Sequence, residues 1–172
     1  MTTHEFFTLL PQFTVVDNQL RYAAETRYSA LLRDQADYAV LGLLHVLGSN
    51  QIEGHIRQLA AVLLRRSLID DEESIYFRLS GQSKQDILKE LLRLLREEPT
   101  TIIRLRVCDI AGELGGSILE PKDWVDLVPT ALLLCQVSHL YDCIPSLCPF
   151  THLSPLLSYR VNNQLIEKLV YH

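Results

Sequence analysis

The chain has 172 residues, of which 48% are hydrophobic, and this length fits one domain with a buried core. Asp and Glu outnumber Lys and Arg by 21 to 16, so the net charge of -5 argues against nucleic acid as a partner. The sequence has no apolar run near the roughly 18 residues of a membrane span, and its N-terminus lacks a secretory signal pattern. These features predict a soluble intracellular protein without membrane insertion.

The first 134 residues carry apolar positions at spacings of three and four, the pattern of amphipathic helices. Asp17 and Asp34 are the predicted N-caps of the second and third helices, and Gly48 is the predicted end of the third. Pro129 is unfavourable inside the last predicted helix, because proline lacks the backbone N–H that an interior helical residue donates. In chain order, the helices are predicted at about 4–10, 18–32, 34–48, 51–68, 83–98, 101–114 and 121–134.

Three of these helices share one register, which indicates an internal repeat. The pattern Leu20-Arg21-x-x-Ala24-x-x-x-Tyr28 recurs from Ile56-Arg57 and again from Ile103-Arg104, at offsets of 36 and 47 residues. These offsets bracket the unit of about 40 to 47 residues in HEAT and armadillo arrays, where stacked helix pairs bury a continuous core. An ordinary helical bundle is the alternative, because all amphipathic helices look alike.

The charge density falls sharply after residue 134. The remaining residues hold only four charged side chains but three of the four cysteines and no sustained apolar period. The predicted boundaries are therefore 1–134 for a helical-repeat domain and 135–172 for an atypical tail, partly helical or disordered. In the alternative, apolar residues near Leu132 and Val137 continue the last helix and cover the apolar end of the array.

Three sequence blocks, Arg57–Leu68, Arg106–Leu114 and Trp124–Pro129, follow one another along the chain. The first carries the pattern A-A-x-x-L-[KR]-[NR]-x-[LI]. In this order they resemble the second, third and fourth repeats of the importin-beta (karyopherin-beta) family, and the importin-five type in particular. The resemblance covers about residues 4–134 and implies an all-α, α-α superhelix of about three HEAT helix pairs. It stops before the tail, which favours a truncated product over a deliberately short paralogue.

The resemblance implies a nuclear import receptor of the cytoplasm and nucleus, whose N-terminal repeats bind the small GTPase Ran in its GTP form. Cargo proteins and nucleoporins are implied as partners only of a longer form, because their sites lie mostly beyond the matched region. The alternative is a truncated helical scaffold for protein–protein interaction without Ran recognition. Each charged candidate also has a simpler interpretation as a solvated surface charge or an ion pair within a repeat. The Ran-binding candidates are Arg57, Arg65, Arg66, Arg106, Asp109 and Glu113.

The sequence offers no catalytic residues, cofactor site or metal site, so we expect no enzyme. Cysteines 135, 143 and 148 with His139 provide soft ligands, but their spacing fits none of the usual zinc knuckles. Glu97 and Glu98, at the end of a predicted helix, are expected to be a solvated pair rather than an acid–base dyad.

Overall fold

The computed structural model describes residues 4–69, 74–118, 124–131 and 133 of the chain. Every regular element in these ranges is a helix, which confirms the predicted all-α class. The elements are α1 (His4–Gln12), α2 (Asn18–Asp34), α3 (Ala36–Gly48), α4 (Gly54–Ile69), α5 (Ile75–Arg78), α6 (Gly81–Glu97) and α7 (Thr101–Glu113), followed by a π-helical turn (Leu114–Ile118).

The predicted ends of the early helices are largely confirmed. Asp17 is the N-cap of α2, where its Oδ1 accepts hydrogen bonds from the backbone N–H groups of Gln19 at 2.8 Å and Leu20 at 3.3 Å. Gly48 is the last residue of α3, as predicted. The predicted cap at Asp34 is wrong, because α2 extends through that residue and α3 begins only after Gln35.

The later helices differ more from the prediction. The short α5 was not predicted, and α6 begins two residues early because the Ser80 hydroxyl caps it by accepting the Ser83 N–H at 3.2 Å. The helical conformation also does not end at Gly115, where the sixth predicted helix was expected to stop, because a π-helical turn continues to Ile118. Residues 127–131 are helical, whereas 124–126 are not, so the last helix begins later than expected.

The chain divides into two compact units, Met1–Val107 and Cys108–His172. In the first unit, α1 packs against α2 and α3, α3 packs against α4 and α6, and α4 packs against α5. Helix α3 is therefore the central element. It is apolar on most of its circumference, which is the pattern of a helix covered on several sides. Its buried residues are Ala39, Val40, Gly42, Leu43, Leu44, Val46 and Leu47.

The second unit includes the C-terminal half of α7 and the short helical segment at 127–131. Its buried apolar side chains include Ile110 in α7, Leu114 in the π-helical turn, and Trp124 and Leu127 at the start of the last segment. The predicted tail at 135–172, its cysteines and the proposed cap lie outside the described residues, so the boundary near 134 stays a prediction. None of the described helices is long and apolar enough to cross a membrane.

Candidate partner-binding surface and the buried ion pair beneath it

Helix α4 carries three of the predicted site residues, and they lie in different environments. Arg66 is exposed and Arg65 is half-buried. Arg57 is only 4% exposed, so it is not a solvated surface charge. Its side chain has a buried acidic partner at a distance of 41 residues in sequence.

The partner of Arg57 is Glu98, and the two side chains form a bidentate pair. The Arg57 Nη1 donates to Glu98 Oε1 at 3.3 Å, and Nη2 donates to Oε2 in a shorter contact. The Nε atom of Arg57 donates at 2.9 Å to the backbone carbonyl of Leu47, near the end of α3. Such a planar fork suits the guanidinium group, which presents several donors in fixed directions.

Glu98 is 3% exposed, so the expected solvated pair at residues 97 and 98 is also wrong for Glu98. Glu97 is exposed, but Glu98 is the C-cap of α6, and its backbone turns to an extended conformation with ψ of 116° before Pro99. Its side chain therefore leaves the solvent-facing side of α6 that Glu97 occupies.

The same residue also anchors the start of α7. Glu98 Oε1 accepts the backbone N–H of Thr100 at 3.0 Å, and the backbone carbonyl of Glu98 accepts Arg104 Nη1 at 3.1 Å. Its own backbone N–H donates to Leu94 in α6. Through these bonds and Arg57, Glu98 connects α3, α4, α6 and the first turn of α7.

The electrostatics of Glu98 follow from two opposing effects. Burial alone would raise the pKa of its carboxyl group, because a charge is costly away from water. The hydrogen bonds from Arg57 and Thr100 outweigh burial, and the net effect holds the pKa of Glu98 below its ordinary value. The buried carboxylate is therefore ionised at neutral pH and pairs with a charged guanidinium.

The three copies of the sequence register differ in burial. The second and third copies bury their first apolar residues, Ile56 and Ile103, and the arginines that follow them, Arg57 and Arg104, both bind Glu98. In the first copy, Leu20 remains 51% exposed. The two arginines are used differently, because Arg57 is buried and binds the carboxylate, whereas Arg104 is half-buried and binds the backbone carbonyl.

Helix α7 carries the other three predicted site residues. Arg106 is exposed, and Asp109 and Glu113 are half-buried. Because the two carboxylates are four residues apart on a continuous helix, they lie on the same side of α7, as predicted. Arg106 belongs to the first compact unit, whereas Asp109 and Glu113 belong to the second.

Two exposed apolar residues next to these arginines were missed by the sequence analysis. Val62 on α4 is 51% exposed and precedes Arg66 by one helical turn, and Ile102 on α7 is 47% exposed and precedes Arg106 by one turn. The sequence does indicate their exposure, because neither residue belongs to the apolar stripe of its helix. We use the term partner surface for two sets of residues of the first unit, namely Val62, Arg65 and Arg66 on α4 and Ile102 and Arg106 on α7.

The described part of the chain contains no group of three or more His, Cys, Asp and Glu side chains arranged to hold a metal ion. Cysteines 135, 143 and 148 and His139, the potential zinc ligands of the tail, lie outside it. Cys108 is buried in the second unit.

No protein-family model matches the chain. The resemblance to the importin-beta family is therefore carried by the three sequence blocks. The first block lies within α4, the second within α7 and the first residue of the π-helical turn, and the third spans residues 124–129 at the start of the last helical segment.

Proposed function

We propose that the chain is the N-terminal HEAT-repeat part of an importin-beta-type nuclear import receptor and binds Ran in its GTP form. The observation that carries this proposal is the order of the three blocks, which lie in α4, in α7 with the first residue of the π-helical turn, and at residues 124–129. In this proposal the protein takes part in nucleocytoplasmic transport and resides in both cytoplasm and nucleus. Cargo proteins and nucleoporins are partners of a longer form.

The helix contacts support the proposed α-α superhelix. Helix α1 packs against α2, and α3 packs against α4, as the two members of a pair do. The first members also contact one another in sequence order, α1 with α3 and α3 with α6, as in stacked helix pairs. In addition, α3 packs against α2, and α1 packs against α4. The buried bond between Arg57 and Glu98 ties α4 of the second pair to the corner between α6 and α7.

The proposed Ran contact uses the partner surface of the first unit, and Asp109 and Glu113 of the second unit remain separate candidates from the resemblance. The exposed arginines supply charge that can complement an acidic patch, which favours correct orientation and fast association. Val62 and Ile102 supply apolar area beside them. Arg57 has a different role in this proposal, since its guanidinium is buried and holds Glu98.

The direct test is binding of the purified chain to immobilised Ran loaded with GTP or with GDP. We expect clear retention on the GTP form and little on the GDP form, because the receptor function requires that preference. Equal retention on both forms, or none on either, would contradict Ran recognition.

That result would favour the second candidate function, a helical scaffold that binds another protein through an apolar face. The specific observation behind this alternative is the exposure of large apolar side chains on several helices. Among them are Tyr22 on α2, Val62 on α4, Phe77 on α5 and Ile102 on α7.

A further inference from the structure

The local sequence around Glu98 does not predict that its side chain is buried. A glutamate after a helix of exposed charges is ordinarily solvated, yet this one is buried and ionised, and it accepts bonds from two different helical regions. Its carboxylate binds Arg57 in α4, and its backbone carbonyl and Oε1 bind the residues that begin α7. The two helices of the partner surface are thus attached to one residue.

We propose that Glu98 is a positioning residue, whose carboxylate bonds to Arg57 and to the Thr100 N–H set the spacing and rotation of α4 relative to the first half of α7. Through that spacing it fixes the separation between Arg66 and Arg106 at the partner surface. The identification of the partner as Ran rests on the proposed function, whereas the role of Glu98 in the spacing of α4 and α7 does not.

The hydrogen bonds of Glu98 can set the helix spacing because they are directional. Apolar contacts between helices tolerate small sliding and rotation, but a bidentate pair fixes both the distance and the plane of the two groups. A buried charge also strongly disfavours any movement that separates it from its partner. The third bond of Arg57, to the Leu47 carbonyl, holds the guanidinium in place from the α3 side.

The spacing is measured between labels at residues 62 and 102, introduced as genetically encoded clickable amino acids so that the native cysteines remain. Both positions are exposed, one on each helix. We expect the wild-type chain to give a narrow distance distribution and Glu98→Gln a broadened or shifted one with unchanged helix content. The matched control is Glu97→Gln, which changes the adjacent exposed carboxylate and should leave the distribution narrow. A wild-type distribution in Glu98→Gln overturns the proposal.

A double variant separates positioning from simple stabilisation and also covers the case in which Glu98→Gln does not fold. Arg57→Met combined with Glu98→Leu removes both charges, and replacing a buried ion pair with apolar residues often restores stability. We expect this variant to keep the wild-type thermal midpoint but to show the broadened distance distribution. A wild-type distribution in this variant would mean that the pair only stabilises the fold, and it overturns the proposal.

Affinity for Ran loaded with GTP, measured on unlabelled protein, gives the functional readout. We expect the affinity to fall about tenfold in the double variant, since substitutions that do not contact a ligand can still change its binding by about this amount. Glu97→Gln should leave the affinity unchanged. Wild-type affinity in the double variant overturns the link between spacing and binding. If the wild-type chain does not bind Ran, the proposed function fails, and the distance measurement still decides the role of Glu98.

Discussion

The buried ring of Phe6 in α1 lies directly against Gly42 in the middle of α3, with no side chain between ring and backbone. A Cβ atom at residue 42 would approach the ring carbons more closely than two carbon atoms can pack. Because Phe6 is fully buried, a shift of its ring would also require neighbouring core side chains to move. Gly42 therefore allows α1 to sit close to α3, which is the contact that places the first helix on the central one.

Substitution of Gly42 by Ala should destabilise the protein despite its better helix propensity. Overpacking of a core typically costs about 1 to 3 kcal/mol, against a propensity gain of at most about 1 kcal/mol. We expect a lower free energy of unfolding in urea at unchanged helix content. Gly54→Ala is the matched control, since an added Cβ there has no neighbour within 4 Å. A Gly42→Ala protein as stable as Gly54→Ala would show that the ring can shift.

Removal of Arg57 should be far more damaging than removal of a surface arginine. Arg57→Ala leaves the Glu98 carboxylate buried without its charged partner, and such losses cost about 3 to 5 kcal/mol. Arg93 provides the comparison, because it pairs with Glu90 at 2.6 Å and Glu97 at 3.1 Å on the surface of α6. Surface pairs contribute about 0 to 1 kcal/mol, so Arg93→Ala should change urea unfolding little. Similar losses in the two variants would contradict the burial of the Arg57 pair.

Acid should lower the free energy of unfolding, because it protonates the carboxylates of Glu98 and Asp37. Hydrogen bonds from Ser83 and Ser80 hold the pKa of Asp37 below its ordinary value, and its Oδ1 accepts the Ser80 N–H at 2.9 Å. A lowered pKa in the folded state gives stability that is complete above the unfolded-state pKa and is lost as pH falls through the folded-state value. We therefore expect the free energy of unfolding to drop below about pH 4.

The contribution of Asp37 can be isolated by Asp37→Asn, which has no carboxylate to protonate. Urea unfolding between pH 6 and pH 3 should show a smaller loss of stability for this variant than for the wild type. Glu25→Gln, at an exposed position of α2, serves as the control for removing one charge. An identical pH dependence in Asp37→Asn and the wild type would remove Asp37 from the acid response.

Local patterns predicted the helices well because their signals are local. Asp17 caps α2 through its own neighbours, and Gly48 ends α3 where the apolar period ends. The pair of Arg57 and Glu98 escaped prediction because its members are 41 residues apart and each looks like an ordinary surface charge in its own segment. The repeat register does not reveal it either, because the equivalent arginine of the first copy, Arg21, is exposed.

The partner surface was predicted only in part for a similar reason. Charge in a family-like block identified Arg65, Arg66 and Arg106 as candidates, but no local pattern distinguishes an exposed arginine from a buried one. Exposure depends on what neighbouring helices cover, and that follows from packing between distant segments. The apolar residues Val62 and Ile102 became candidates only through their exposure beside these arginines.

Charge reversal on α4 tests the partner surface directly. Reversing both Arg65 and Arg66 to Glu should weaken binding to Ran loaded with GTP, but Arg65 is half-buried and its loss can also affect the fold. Arg66→Glu alone is therefore the cleaner variant, since Arg66 is exposed and exposed substitutions usually change stability by less than about 0.5 kcal/mol.

For Arg66→Glu we expect a slower association rate and a weaker dependence of that rate on salt, because a rim charge steers encounter more than it holds the complex. Surface plasmon resonance at two salt concentrations measures both quantities, and circular dichroism verifies that helix content is unchanged. Arg96→Glu is the matched control, as an exposed arginine on α6 outside the partner surface. If the two variants associate at the same rate, Arg66 does not contact the GTPase.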